Sequence, residues 1–138
     1  MVRFSHSGSP GNPITFEAAD DVTLRGDNGL WESGGSLVGV RWEFGAIFEI
    51  TGSSAAPIHD LAIRGFRFEN SAWFGISLSN AERIVVEGNF TYNTVGSGIR
   101  ASASRDITAR NNTIEKACQM TNKTKASQKI ISFSDVNG

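Results

Sequence analysis

Three segments of this chain align without gaps at a constant offset of 23 residues: Leu61–Asn70, Ile84–Asn93 and Ile107–Lys116. A further pair keeps the same offset, Gly75-Ile76-Ser77-Leu78-Ser79 against Gly98-Ile99-Arg100-Ala101-Ser102. Within each unit apolar residues alternate with polar ones, as in Leu61/Ile63, Ile84/Val86 and Ile107/Ala109. Such alternation is the two-residue period of a half-buried strand. Strands this short cannot hold an isolated sheet together. Stacking one coil on the next lets each strand pair in parallel with its equivalent, and the inward residues then form continuous apolar columns. A leucine-rich repeat is the competitor at this period, but its Leu/Asn spacing and helical segment are missing. A sandwich would not explain the fixed register. The expected fold is all-β, a right-handed parallel β-helix: a single-stranded solenoid of about four to five coils.

The strict period covers about residues 57–116 of a domain expected to occupy the whole of 1–138. Outside it the matches carry insertions. Ile47-Phe48-Glu49-Ile50 resembles Gly75–Leu78 at an offset of 28, the extra length lying in Gly52–Pro57. Ile131–Ser134 matches Ile99–Ser102 at an offset of 32, with a polar, lysine-rich insertion at about 118–129. Val22–Gly26 echoes Leu61–Gly65 and is expected to stack on it. Loops thrown out of a solenoid tend to gather on its binding side. Neither end carries an obvious cap, so a partial helix, incomplete at both ends and prone to self-association through them, is the expectation.

Charge narrows the partners. Thirteen Lys and Arg oppose fourteen Asp and Glu, a net charge of −1, which leaves no electrostatic footprint for nucleic acid. No apolar run approaches the roughly 20 residues of a membrane span, and the start lacks the apolar core of a signal peptide. The single Cys118 has no internal disulfide partner and is expected to be structural.

Two motifs carry a family resemblance. The stretch Ser7–Ala18 resembles a phrase found near the first coils of right-handed β-helix proteins, and Arg105–Ile114 is similar to their commonest coil. From Gly11 to Asn112 the chain resembles the pectate-lyase-like superfamily. That resemblance implies a polysaccharide partner and an extracellular or cell-envelope location. It extends to lyases, hydrolases, epimerases and tailspikes, so a carbohydrate-active protein and a non-catalytic structural or adhesive solenoid both remain open.

The register stacks outward residues into columns. Arg64, Glu87 and Arg110 form an alternating charge ladder, and Asn89 with Asn112 a hydrogen-bonded asparagine stack at a turn. Glu69, Tyr92 and Glu115 share another column, flanked by Asn70, Asn93 and Lys116. On a neighbouring strand Glu49, Ser77, Arg100 and Ser132 fall in line. A lyase acting on an acidic glycan needs a cation for the uronate carboxylate and a base for the adjacent carbon-bound proton. Arg100, Lys116, Tyr92 and Glu115 are the catalytic candidates, with Arg100 as clamp, Lys116 or a loop lysine as base and Tyr92 as donor. Trp73, Glu69, Asn93 and Lys123 are the candidates for holding substrate, Trp73 by stacking on a sugar face. No metal ligand and no cofactor is expected. Calcium, which pectate lyases use, would need a carboxylate cluster on successive coils that this sequence lacks. Sequons occur at Asn89, Asn111 and Asn122, the first two inside coils.

Overall fold

The computed structural model describes residues 2–20, 22–26, 30–33, 36–40, 46–71, 73–117 and 131–134. Cys118, Lys123 and the insertion at 118–129 lie outside these described residues. The described chain forms a parallel β-helix whose every coil visits three sheets in turn. The first sheet stacks β1 (Val2–Phe4), β6 (Phe48–Thr51), β9 (Ile76–Ser79), β12 (Ile99–Ser102) and β15 (Ile131–Ser134). The second stacks β2 (Ile14–Glu17), β7 (Ile58–Arg64), β10 (Ala81–Glu87) and β13 (Arg105–Arg110). The third stacks β3 (Thr23–Arg25), β8 (Arg67–Ser71), β11 (Phe90–Thr94) and β14 (Thr113–Glu115). Four coils and the first strand of a fifth result. An antiparallel hairpin, β4 (Leu30–Ser33) with β5 (Ser36–Val40), interrupts the path between β3 and β6.

The registers follow the repeat. Ile84 pairs with Leu61 on one side and Ile107 on the other, and Tyr92 lies between Glu69 and Glu115. The offsets of 28 and 32 hold as well, since Ile50 pairs with Leu78 and Ile99 with Ile131. One expectation fails. Val22–Gly26 does not stack on Leu61–Gly65; Thr23, Leu24 and Arg25 pair with Arg67, Phe68 and Glu69. The place opposite Leu61 and Ile63 belongs to Ile14 and Phe16. The two first-coil strands share a pattern, and only the sheet assignment separates them.

Inward columns fill the solenoid. Leu61, Ile63, Ile84 and Val86 are fully buried, as are Ile50, Ile76, Leu78 and Ile99 from the first sheet. Leu24, Phe68, Thr91 and Ile114 form the third wall. Towards the first coil the filling turns aromatic: Phe48 packs its ring 4.8 Å from Phe4, 5.2 Å from Phe66 and 5.5 Å from Phe68, measured between centroids.

Corners repeat as faithfully as strands. Left-handed backbone recurs every 23 residues at Asp60/Arg83/Asp106, at Gly65/Gly88/Asn111 and at Asn70/Asn93/Lys116. Glycine and asparagine reach this region most readily, which accounts for their use there. The asparagine stack forms as expected. Asn89 donates from Nδ2 to Asn112 Oδ1 (3.0 Å) and to the Ile63 carbonyl (3.1 Å), while its Oδ1 accepts from the Phe66 amide.

Charged columns knit the outer faces. Glu87 sits between Arg110, at 2.8 Å, and Arg64, at 3.5 Å. Arg83 makes a two-pronged pair with Asp60, both contacts at 2.9 Å. The Arg83 hydrogen bond is the main cause holding the Asp60 carboxyl at about 2, below its ordinary 3.8. Arg67 does the same in direction for Glu69, and Arg110 for Glu87, both from 4.5. A folded pKa below the unfolded one means stabilisation that is complete above the unfolded value and lost as pH falls through the folded value. The fold should therefore keep its full stability above 4.5 and lose it progressively toward about 2. In an acid titration followed by circular dichroism, Arg83→Ala should move the transition to higher pH. An unchanged midpoint would remove this pair from the account.

Candidate functional site

The corner between the third and first sheets gathers most of the residues singled out from sequence. Tyr92 points outward from β11, because Thr91 before it is buried in the core and neighbouring strand positions alternate sides. Lys116 closes the next coil's third strand in the left-handed region. Its Nζ donates to the Tyr92 hydroxyl at 2.6 Å and lies 4.9 Å from the ring centroid. That hydrogen bond is the main cause raising the Lys116 pKa. Asn93 donates to Asn70 Oδ1 at 2.6 Å, continuing the corner one coil back. Glu115 is exposed and pairs in register with Tyr92.

Glu69 is engaged otherwise. It is buried at 9% exposure, and its carboxylate is bonded to Arg67 at 2.5 Å and Arg25 at 3.0 Å. Two guanidinium partners give it a structural duty first. Trp73 and Phe74 occupy the loop of the same corner, their ring centroids 4.9 Å apart. Arg100 stands on the first sheet in the expected column, Glu49–Ser77–Arg100–Ser132, with its guanidinium carbon 5.3 Å from the Phe74 centroid. Thus Tyr92, Lys116 and Glu115 belong to one sheet and its edge, while Arg100 belongs to another and reaches the corner through Phe74.

Three participants were missed from sequence. Phe90 lies two residues before Tyr92 on the same outward face, its ring nearly parallel at 13° and 6.4 Å between centroids. Arg67 covers the Phe90 ring at 4.0 Å. Phe74 completes the Arg100 contact. Alternation from Tyr92 would have pointed to Phe90, and the paired register to Arg67. Only side-chain placement reveals the cations over the rings.

Among the described residues no group of three or more His, Cys, Asp or Glu is placed to hold a metal ion, and no helix is long and apolar enough to cross a membrane. The sequon at Asn89 has a side chain too deeply buried, at 2% exposure, to carry a glycan. A family model described as right handed beta helix region matches residues 39–132. No curated protein and no solved structure matches the chain.

Proposed function

For a chain that belongs to the right handed beta helix family, we propose a carbohydrate-binding role: it grips an acidic polysaccharide of an extracellular matrix or cell envelope along the corner between its third and first sheets. One observation carries this reading. Three aromatic rings each carry a cation: Arg67 over Phe90 where the third-sheet strands begin, Lys116 over Tyr92 further along that sheet, and Arg100 over Phe74 at its corner with the first. Ring surfaces suit the C–H faces of pyranoses, and the cations beside them suit uronate or sulfate groups. Trp73 extends the apolar part of the surface.

Binding is favoured over elimination for a chemical reason. A lyase base must accept a proton at working pH, and Lys116 is held in its protonated form by Tyr92. It serves better as a cation for carboxylate than as a base. Arg100 and Tyr92 keep the roles of clamp and hydroxyl partner.

Calorimetric titration with alginate, pectate and chondroitin sulfate tests the proposal. At least one should bind, and Tyr92→Ala should weaken it about tenfold, equivalent to roughly 1.4 kcal/mol. Absence of binding to all three would refute it. Ultraviolet absorbance from unsaturated products would overturn the non-catalytic part and restore a lyase.

A further inference from the structure

A groove lies at a different corner, between the first and second sheets. Six residues, 52–57, connect β6 to β7, whereas a single Asn80 connects β9 to β10 and two residues connect β12 to β13. The long loop rises beside the short ones and walls a groove of about 400 Å³. That volume accommodates a small molecule. Ser53, Ser54, Asn80 and Ser104 supply hydroxyl and amide groups to its lining, and Pro57 and Ala81 supply small apolar surface.

Glu82 and Arg105 also line the groove, and they belong to a charge lattice. In register His59, Glu82 and Arg105 stack on successive coils. The residues that follow them, Asp60, Arg83 and Asp106, share the left-handed conformation and stack alongside. Charge thus alternates along the coil at Glu82-Arg83 and at Arg105-Asp106, and between coils at Glu82 and Arg105 and at Asp60, Arg83 and Asp106. Glu82 is ion-paired to both Arg83 and Arg105, and Asp60 to Arg83. His59 Nδ1 lies 2.8 Å from Asp60 Oδ2; a carboxylate can only accept, so the imidazole donates. Arg105 remains 61% exposed at the mouth while Glu82 is only 9% exposed.

This lattice selects a ligand class. An anion would meet the Glu82 carboxylate, and a cation would meet the Arg105 guanidinium. A neutral molecule with adjacent hydroxyls can instead donate to the carboxylate and accept from the guanidinium without disturbing their balance. We propose that this groove is a binding site for an uncharged sugar unit or similar polyol. The site is separate from the aromatic corner, and the proposal stands whether or not an acidic glycan binds there.

Saturation-transfer NMR on the full chain with methyl glucoside, galactoside and mannoside tests it. Transfer to at least one glycoside is expected. Ser54→Trp, which fills the groove from an exposed loop position and leaves the ion pairs intact, should abolish the transfer. Arg105→Ala should reduce it, and Tyr92→Ala should leave it unchanged; circular dichroism confirms that each variant is folded. The proposal is overturned if none of the three glycosides shows transfer. It is also overturned if transfer survives Ser54→Trp or disappears in folded Tyr92→Ala.

Discussion

Replacing Phe48 by alanine should lower the unfolding free energy by about 3–5 kcal/mol, the range for truncating a buried aromatic. Phe48 is 2% exposed and is the hub of the aromatic filling, touching the rings of Phe4, Phe16, Phe66 and Phe68. Phe4, Phe16 and Phe68 come one from each sheet and Phe66 from the turn between the second and third, all within the first two coils. The void left by the ring cannot be closed by one strand moving, because each wall is tied to the next coil by parallel pairing. A domain of this size has only about 5–15 kcal/mol in total, so the loss is a large share of it. Chemical denaturation with a conserved slope is the measurement. Phe48→Leu, which keeps most of the volume, should recover over half of the loss. A cost below about 1.5 kcal/mol for Phe48→Ala would place it in the range of volume-conserving swaps and contradict the hub.

How far the sequence carried the fold depended on what each position had to satisfy. Leu61, Ile84 and Ile107 were legible because a constant offset and an inward apolar demand agree on the same residues. The stretches around Ile50 and Ile131 were also legible despite insertions, since extra residues between strands leave the pairing register of the strands themselves unchanged. Val22–Gly26 was misplaced for a physical reason. Its Leu-Arg-Gly reproduces the Ile-Arg-Gly of Ile63–Gly65, but the first coil already fills that column with Ile14–Glu17. The hairpin from Leu30 to Val40 went unseen, as it lies outside the repeat. At the candidate site the register of Glu69, Tyr92 and Glu115 could be counted off. The cation–ring contacts could not, because they depend on where long side chains fold back onto neighbouring coils.

The corner asparagine at 89 should be nearly as costly to lose as the hub phenylalanine, for the opposite reason. Asn89→Ala removes few dispersion contacts but strips hydrogen bonds from groups that water reaches poorly. Its Oδ1 satisfies the Phe66 amide, and its Nδ2 satisfies the Ile63 carbonyl and Asn112 Oδ1. An unmet buried donor or acceptor costs about 1–3 kcal/mol, so a loss of about 2–4 kcal/mol is expected. Asn89→Asp should do no better: it keeps the acceptor for Phe66 but turns a carboxylate oxygen toward two other oxygens. Asn112 provides the control. It donates to the Val86 carbonyl at 2.8 Å and its Oδ1 accepts from the Asn89 amide and Nδ2, but it is only half-buried, so water entering the space vacated in Asn112→Ala can reach these groups. Asn112→Ala should therefore cost clearly less. If the two alanine variants unfold at the same denaturant concentration, burial is not what makes the inner asparagine matter. The 23-residue offset at that corner would then be preserved by backbone geometry alone, through Gly65, Gly88 and Asn111 beside it.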